Sequence, residues 1–339
     1  MIKLSSIIAI THASAGYSSN TTRIPRPSTS RRLFDNEFCP GYRPATCILR
    51  HPIERISCMS IDTTGHSPGA ALASLRAGIK LAAMLLASVV LMPLQWVLMR
   101  FTRGRTAFVL PRWWFGCLRR ALGIRAEVVG TPRDGGGTVF VGNHISHYDI
   151  VLLGSLLRAR FIAKDDMERW PGMRFVGELG QTLFISRRRR DAANVAANLA
   201  AQMRPDHDLV LFAEGTTSSG ERVAPFKSSL FSLFLGPQAA GQTWTLQPFT
   251  LDIRSVDGRA LSMGGDRDGY AFHSDMEAGA HVRQFLRRSG AVVRVVFHPP
   301  IAIPPDVDRK VLAAQVHDIV ASGLDSRHAT RIAPEGAHA

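Results

Sequence analysis

The chain has 339 residues, 45% of them hydrophobic, enough to bury a sizeable core in one large domain or two ordinary ones. Forty-one Lys and Arg against 27 Asp and Glu leave a net charge of +14, a balance that favours polyanionic partners such as nucleic acid, anionic lipid or phosphate-rich substrates. The four cysteines, Cys39, Cys47, Cys58 and Cys117, show no C-x-x-C pair, which argues against a disulfide framework and reads as free thiols in a reducing compartment.

Residues 1–70 are rich in Ser, Thr, Arg and Pro, hold no helical or strand period, and are expected to be a disordered tail or an over-long start with Met59 as the first residue. The apolar piece Ile7–Ile10 is too short for a signal peptide, whereas a transit peptide would share the Arg- and Ser-rich composition. Residues 71–126 change character. No charge interrupts positions 81–99, and roughly 18 such residues suffice to span a hydrocarbon core of ~30 Å. Pro93 and Gln95 weigh against spanning, Trp96 suits an interface, and a buried core helix is the alternative. PRWWFGCLRRALGIRA (111–126) mixes tryptophans and arginines at helical spacing, as an interfacial helix would. Together these segments predict a membrane-attaching helical pair.

From 127 to 325 the pattern is α/β. Apolar, strand-like TVFVGN, VLLGSLL, RFIAK, TLFISR, DLVLFAEGT, TLQPFTLDI and VVRVVFHPPI are separated by helical candidates at 191–203 and 308–320. Such alternation predicts a parallel or mixed sheet with helices on its faces, and chemistry at the strand ends. Residues 326–339 are expected to be a flexible tail.

Three motifs compete for attention and fail on context. GHSPG (65–69) matches G-x-S-x-G but lacks the buried strand before it and the helix after it. The run Arg187–Arg190 has no aromatic stacking platform or nucleic-acid signature beside it, so a solvated or lipid-facing basic face is expected and nucleic acid is not. Asp266-Arg267-Asp268-Gly269 lacks the later ligands of a calcium loop and is expected to be a turn.

Three strand-end units carry better chemistry. In GNHISHYD (142–149), His144 and Asp149 are five apart where a strand feeds a helix, so the carboxylate can return to one imidazole nitrogen and leave the other as a base. His147 with His144 is only a partial metal set, and no metal is expected. LVLFAEGTTSSG (209–220) ends a buried strand in Glu214-Gly215-Thr216, where a glycine turn exposes amides suited to an oxyanion or phosphate. GQTLFISR (180–187) ends a strand in Arg187, able to clamp phosphate with two hydrogen bonds.

In this order, NHISHYD, GQTLFISR, FAEGTTS and LQPFTL (246–251) resemble the motifs of the lysophospholipid acyltransferase family, with RFIAKDDM (160–167) and APFKSSLF (224–231) as supporting segments. The resemblance covers about residues 75–320. Two positions depart from it: Ala213 stands where the family has proline, and Thr217 where it has the arginine after E-G-T.

The resemblance implies a glycerolipid acyltransferase-like mixed sheet flanked by helices. It implies transfer of an acyl group from acyl-CoA or acyl carrier protein, as co-substrate rather than cofactor, to the free hydroxyl of 1-acyl-sn-glycerol-3-phosphate. His144 would be the base and Asp149 its orienting acid. Asn143, Lys164, Gly180, Arg187, Glu214, Gly215, Thr216 and Lys227 would bind substrate. An anionic membrane surface is the implied partner and the cytoplasmic face of the inner membrane the implied place. An acceptor such as lyso-ornithine lipid is the alternative, and a non-catalytic, membrane-tethered basic protein is the alternative of another class.

Overall fold

The computed structural model describes residues 68–102, 104–164, 177, 180, 182–185, 206–232, 235, 244–263, 265–303 and 306–329. The expected tail up to residue 67, the helical candidate at 191–203 and the arginine run 187–190 lie outside the described residues.

Helix α1 (Pro68–Leu98) leads through a 3₁₀ turn (Gly104–Phe108) into α2 (Val109–Leu122) and strand β1 (Ile124–Val129). Then follow β2 (Thr138–Gly142), α3 (Tyr148–Leu156), β3 (Ala159–Lys164), β4 (Leu183–Ile185), β5 (Asp208–Phe212), α4 (Ser228–Phe231) and β6 (Thr245–Val256). The chain continues through β7 (Arg259–Ala260), α5 (Ala278–Arg287), β8 (Ala291–Phe297), β9 (Ile301–Ala302) and α6 (Arg309–Ala329), which runs into the segment expected to be a flexible tail.

The described strands form one nine-stranded sheet in the order β1-β8-β6-β2-β5-β3-β4, with β7 and β9 also paired to β6. β2 is parallel to both β5 and β6, whereas β6 and β8 are antiparallel, so the expected mixed α/β sheet is what forms. The continuous apolar runs of β2 and β5 are buried along their whole length because both sheet faces are covered. Phe140, Val210 and Phe212 pack on one face with Phe115, Leu118 and Leu122 of α2, Leu152 and Leu153 of α3, and Phe285 of α5. Val139, Val141, Leu209 and Leu211 pack on the other with Leu312, Val316 and Val320 of α6. Leu122 and Ile124 are 2% and 1% exposed, so the end of α2 and the start of β1 are part of this core.

α1 is built the opposite way round from a soluble helix. Three of its polar side chains, Lys80, Ser88 and Gln95, point inward at helical spacing. The Lys80 ammonium is buried and donates to the carbonyls of Leu122 (2.6 Å) and Arg288 (3.0 Å), at the C-terminal ends of α2 and α5. Both helix ends leave carbonyls unsatisfied and carry partial negative charge, so one ammonium serves two helices. Ser88 accepts from the Trp114 indole at 3.0 Å, and Gln95 donates to the Ala107 carbonyl at 3.0 Å. Leu75, Ile79, Leu86 and Val89 on the outer face are each more than 60% exposed. Residues 69–98 are long and apolar enough to cross a membrane, and only 6% of the most apolar window is buried. The buried-core alternative for 81–99 is thereby overturned, and Gln95, which weighs against spanning in the sequence, proves to be an inward-facing anchor.

Lys80→Met should strand two buried carbonyl groups and lower stability by about 1–3 kcal/mol. Thermal unfolding of the protein in neutral detergent checks this; an unchanged midpoint would show that apolar packing alone holds α1.

Candidate active site

Two of the three strand-end units meet at the carboxyl edge of the sheet. Gly142, the last residue of β2, is in register with Phe212 at the end of β5 and with Phe249 of β6. A Cβ at Gly142 would lie 2.4 Å from the Phe249 carbonyl oxygen, so only glycine allows the loop to leave at this point. Asn143 then turns inward. It is fully buried, its amide donates to the Leu251 carbonyl (3.0 Å), and its side-chain oxygen accepts from the Leu251 amide (2.7 Å). These bonds occupy both ends of the carboxamide, which corrects the expectation of substrate contact: Asn143 locks the loop to β6.

His144 and Asp149 come together as their spacing suggested. Nδ1 of His144 lies 2.9 Å from Oδ2 of Asp149. The same oxygen accepts from the amides of Ile145 (2.7 Å) and Ser146 (2.9 Å), while Oδ1 accepts from the Tyr270 hydroxyl at 3.0 Å. Asp149 is completely buried in the first turn of α3, where a carboxylate is favoured. Four donors compensate its lost hydration. An acceptor-only carboxylate on Nδ1 assigns the imidazole proton to that nitrogen and leaves the Nε2 lone pair outward. The His144 side chain is 16% exposed, and its Nε2 has no hydrogen-bond partner among the described residues.

The FAEGTTS segment holds His144 rather than standing beside it. The imidazole stacks on the Phe212 ring at 3.8 Å between centroids and 12° between planes. The His144 amide donates to Glu214 Oε1 (3.3 Å), and its carbonyl accepts from both the amide (2.9 Å) and the hydroxyl (3.2 Å) of Ser218. Gly215 makes this reversal possible with φ of 69°. Glu214 is only 2% exposed, and burial pushes its carboxyl up to about 7 against the opposing hydrogen bonds of Ser218 and the His144 amide. Thr216 and Lys227 are exposed, and the Lys227 amide donates to the Ala213 carbonyl at 2.9 Å.

The third unit is only partly in view. Gly180 is buried and lines a narrow apolar crevice with Leu91 and Gln95 of α1 and Leu110 and Trp114 of α2. Lys164 is the last residue of β3, its side chain outside what is described, and Arg187 lies outside the described residues altogether.

Three residues that local pattern could not single out complete the geometry. The segment read as a plain turn at 266–269 is a 3₁₀ turn that straps both loops. Arg267 donates to the Gly220 carbonyl (3.1 Å), Tyr270 to Asp149, and the Phe272 amide to the Ile145 carbonyl (2.9 Å). His147 is packed away from the dyad, its ring 5.1 Å from that of His281 and 5.3 Å from that of Phe272. Burial first, and then His281, lowers it to about 4, so it is neutral at ordinary pH. Among the described residues, no group of three or more His, Cys, Asp or Glu could hold a metal ion.

A carboxyl whose folded value is raised binds more protons folded than unfolded, so its contribution to stability is full below about 4.5 and declines as pH rises to about 7. Glu214→Gln removes that slope. The difference in unfolding midpoint between wild type and variant should grow in the variant's favour from pH 4.5 to 7 and then level off. A difference that is flat with pH would contradict the buried carboxyl.

A family model described as Acyltransferase matches residues 125–249, which hold the dyad and the loop that clamps it. The lyso-ornithine lipid O-acyltransferase of Brucella abortus is 31% identical over 265 residues, covering 77% of this chain and 98% of that protein. The corresponding Rhodobacter capsulatus protein is 34% identical over 208 residues, 61% of this chain and 72% of that one. A 1-acyl-sn-glycerol-3-phosphate acyltransferase of Neisseria gonorrhoeae is 32% identical over 101 residues, 30% of this chain and 40% of that one. The solved structure of the 1-acyl-sn-glycerophosphate acyltransferase PlsC from Thermotoga maritima shares the fold, with a TM-score of 0.53 at 17% identity, over 76% of this chain and 98% of that one. With a relative of this similarity matched over nearly its whole length, and with the motif order built into one strand edge, the chain belongs to the lysophospholipid acyltransferase family.

Proposed function

We propose that this protein transfers a fatty acyl group from a thioester, acyl-CoA or acyl carrier protein, to the free hydroxyl of a lyso-ornithine lipid at a membrane surface. The observation that carries the chemistry is the His144–Asp149 pair, with Nδ1 committed and Nε2 turned outward. An alcohol is a poor nucleophile near neutral pH. Nε2 takes its proton as the oxygen attacks the thioester carbonyl, and Asp149 stabilises the imidazolium that forms. Collapse of the tetrahedral adduct expels the thiolate, which the imidazolium protonates, so the base is restored without a covalent enzyme intermediate. Buried Asp149 keeps its geometry through this cycle because Tyr270 and two backbone amides hold it independently of the histidine.

Relatives named for a lyso-ornithine acceptor support the acceptor choice, one of them matched over 98% of its length. The local chemistry agrees: Thr217 stands where the family carries an arginine, which suits a head group that is an amino acid rather than a phosphate. The glycerol-phosphate acceptor implied by the motif order is the second reading, favoured by the shorter Neisseria match. Substrate contacts by Lys164, Gly180, Arg187, Gly215, Thr216 and Lys227 are part of this proposal. So is the cytoplasmic face of the membrane, with α1 and its exposed apolar side seated in the lipid.

Purified protein in neutral detergent, offered lyso-ornithine lipid and 1-acyl-sn-glycerol-3-phosphate with labelled acyl donors, should acylate the first. Phosphatidic acid as the sole product would sink the acceptor assignment and leave the chemistry standing. His144→Ala should cut the rate by about 10²–10⁴-fold, and full activity in that variant would remove the base. Tyr270→Phe keeps the ring and deletes one hydrogen bond to a charged group, so kcat should fall about tenfold with acceptor KM unchanged. A rise in KM at constant kcat would instead make Tyr270 a pocket wall.

A further inference from the structure

A second charged site lies away from the dyad, where α1 meets α5. A cleft of about 610 Å³ is lined by Arg76 of α1, Arg283, Gln284 and Arg287 of α5, and Arg288 and Asp257 beside them. Its charges do not balance. Arg288 is neutralised by Asp257 at 2.9 Å and by Asp266. Asp257 is itself saturated, accepting also from the amide (2.6 Å) and hydroxyl (2.9 Å) of Ser289. Arg283 faces Glu277 at 3.6 Å with both side chains more than 60% exposed, a pairing that contributes little in solvent. Arg76 and Arg287 have no carboxylate partner among the described residues; Arg76 donates only to the Arg287 carbonyl, at 3.2 Å. The buried ammonium of Lys80 sits behind them, bonded to the Arg288 carbonyl.

The neighbouring surface says what kind of anion would fit. Leu72, Leu75 and Ile79 flank Arg76 along α1, at one turn or one residue from it, and are 57%, 61% and 61% exposed. An arginine-lined cleft at the edge of an apolar helix face offers two phases within one molecule's reach: forked donors for a phosphate and hydrocarbon for its chains. We propose that this cleft binds the phosphate head group of an anionic phospholipid, with its acyl chains laid over Leu72, Leu75 and Ile79. The bound lipid is a docking ligand and not the acceptor, because α5 turns its other face, with His281 and Phe285, toward the core beside the dyad. The site rests on the membrane seating of α1 and is independent of which lyso-lipid is acylated.

The test uses the full chain in neutral-detergent micelles, with binding of pyrene-labelled phosphatidylglycerol read by energy transfer from the protein's tryptophans. Wild type should bind it saturably and pyrene-labelled phosphatidylcholine far more weakly. The double variant Arg76→Gln/Arg287→Gln should weaken binding about tenfold or more, while acyl transfer to the lyso-lipid acceptor in micelles without added phospholipid stays unchanged and certifies the fold. Arg309→Gln/Lys310→Gln removes the same charge from the exposed start of α6 and should leave binding as in wild type. Equal loss in both double variants would reduce the effect to diffuse attraction and overturn the site. Full displacement of the lipid by soluble sn-glycerol 3-phosphate would also overturn it, since the cleft would then take free phosphate. Failure of the acceptor assay leaves these outcomes untouched.

Discussion

Everything at the site hangs from one buried carboxylate. Asp149 sits at the start of α3 with no contact to solvent, and four donors converge on it from two parts of the chain. Two are amides of its own loop, which fix how the chain turns from β2 into α3. The third is the imidazole of His144, and the fourth is a hydroxyl 121 residues away in sequence. A buried anion with fewer donors would be costly, so the requirement to satisfy it draws the loop, the helix and the 266–272 strap into a single arrangement. The exposed imidazole nitrogen is a consequence of that requirement, since the ring nitrogen not used for Asp149 is the one left without a partner among the described residues.

The second loop holds His144 in place. Glu214 and Ser218 take the amide and carbonyl of His144, while Phe212 lies flat against its ring. Parallel pairing of β2 and β5 places the two loops side by side, and the absence of a side chain at Gly142 lets them come close. In this arrangement the acidic residue of the E-G-T motif faces the protein interior, next to the backbone of the histidine loop, and only Thr216 in that tripeptide reaches solvent.

Helix α1 follows a parallel logic in reverse. Water would favour polar residues outside, yet Lys80, Ser88 and Gln95 face the protein while leucines and valines face out. The inner polar groups find carbonyls and a tryptophan indole as partners, so hydrogen bonds tie α1 to α2 and α5 beside the packing of Met84 on the core. Such bonding leaves the whole apolar face free for hydrocarbon. α2 packs against both α1 and α3, the helix that carries Asp149.

Features encoded within a few residues were legible before any fold was known. The His144–Asp149 spacing, the apolar runs of β2 and β5 and the uncharged stretch 81–99 each reflect local stereochemistry or continuous burial, and sequence displays both directly. Partners supplied from far along the chain were not. Tyr270 and Arg267 sit in what reads as an ordinary turn, and only the crossing of β6 beside β2 brings that turn onto the dyad. IRAEVV alternates too weakly to announce a strand, and its first three residues read as the end of the helical pair, whereas pairing with β8 defines β1. Asn143 reads as a ligand because its motif travels with His144 and Asp149, whereas the register of β6 makes it a clamp. Sequence by itself determined the chemistry on offer and the order in which it is presented, since these depend on residue type and short spacing. The tertiary structure alone decided which polar groups are spent holding the scaffold and which remain for a substrate, because that depends on hydrogen bonds between elements distant in the chain.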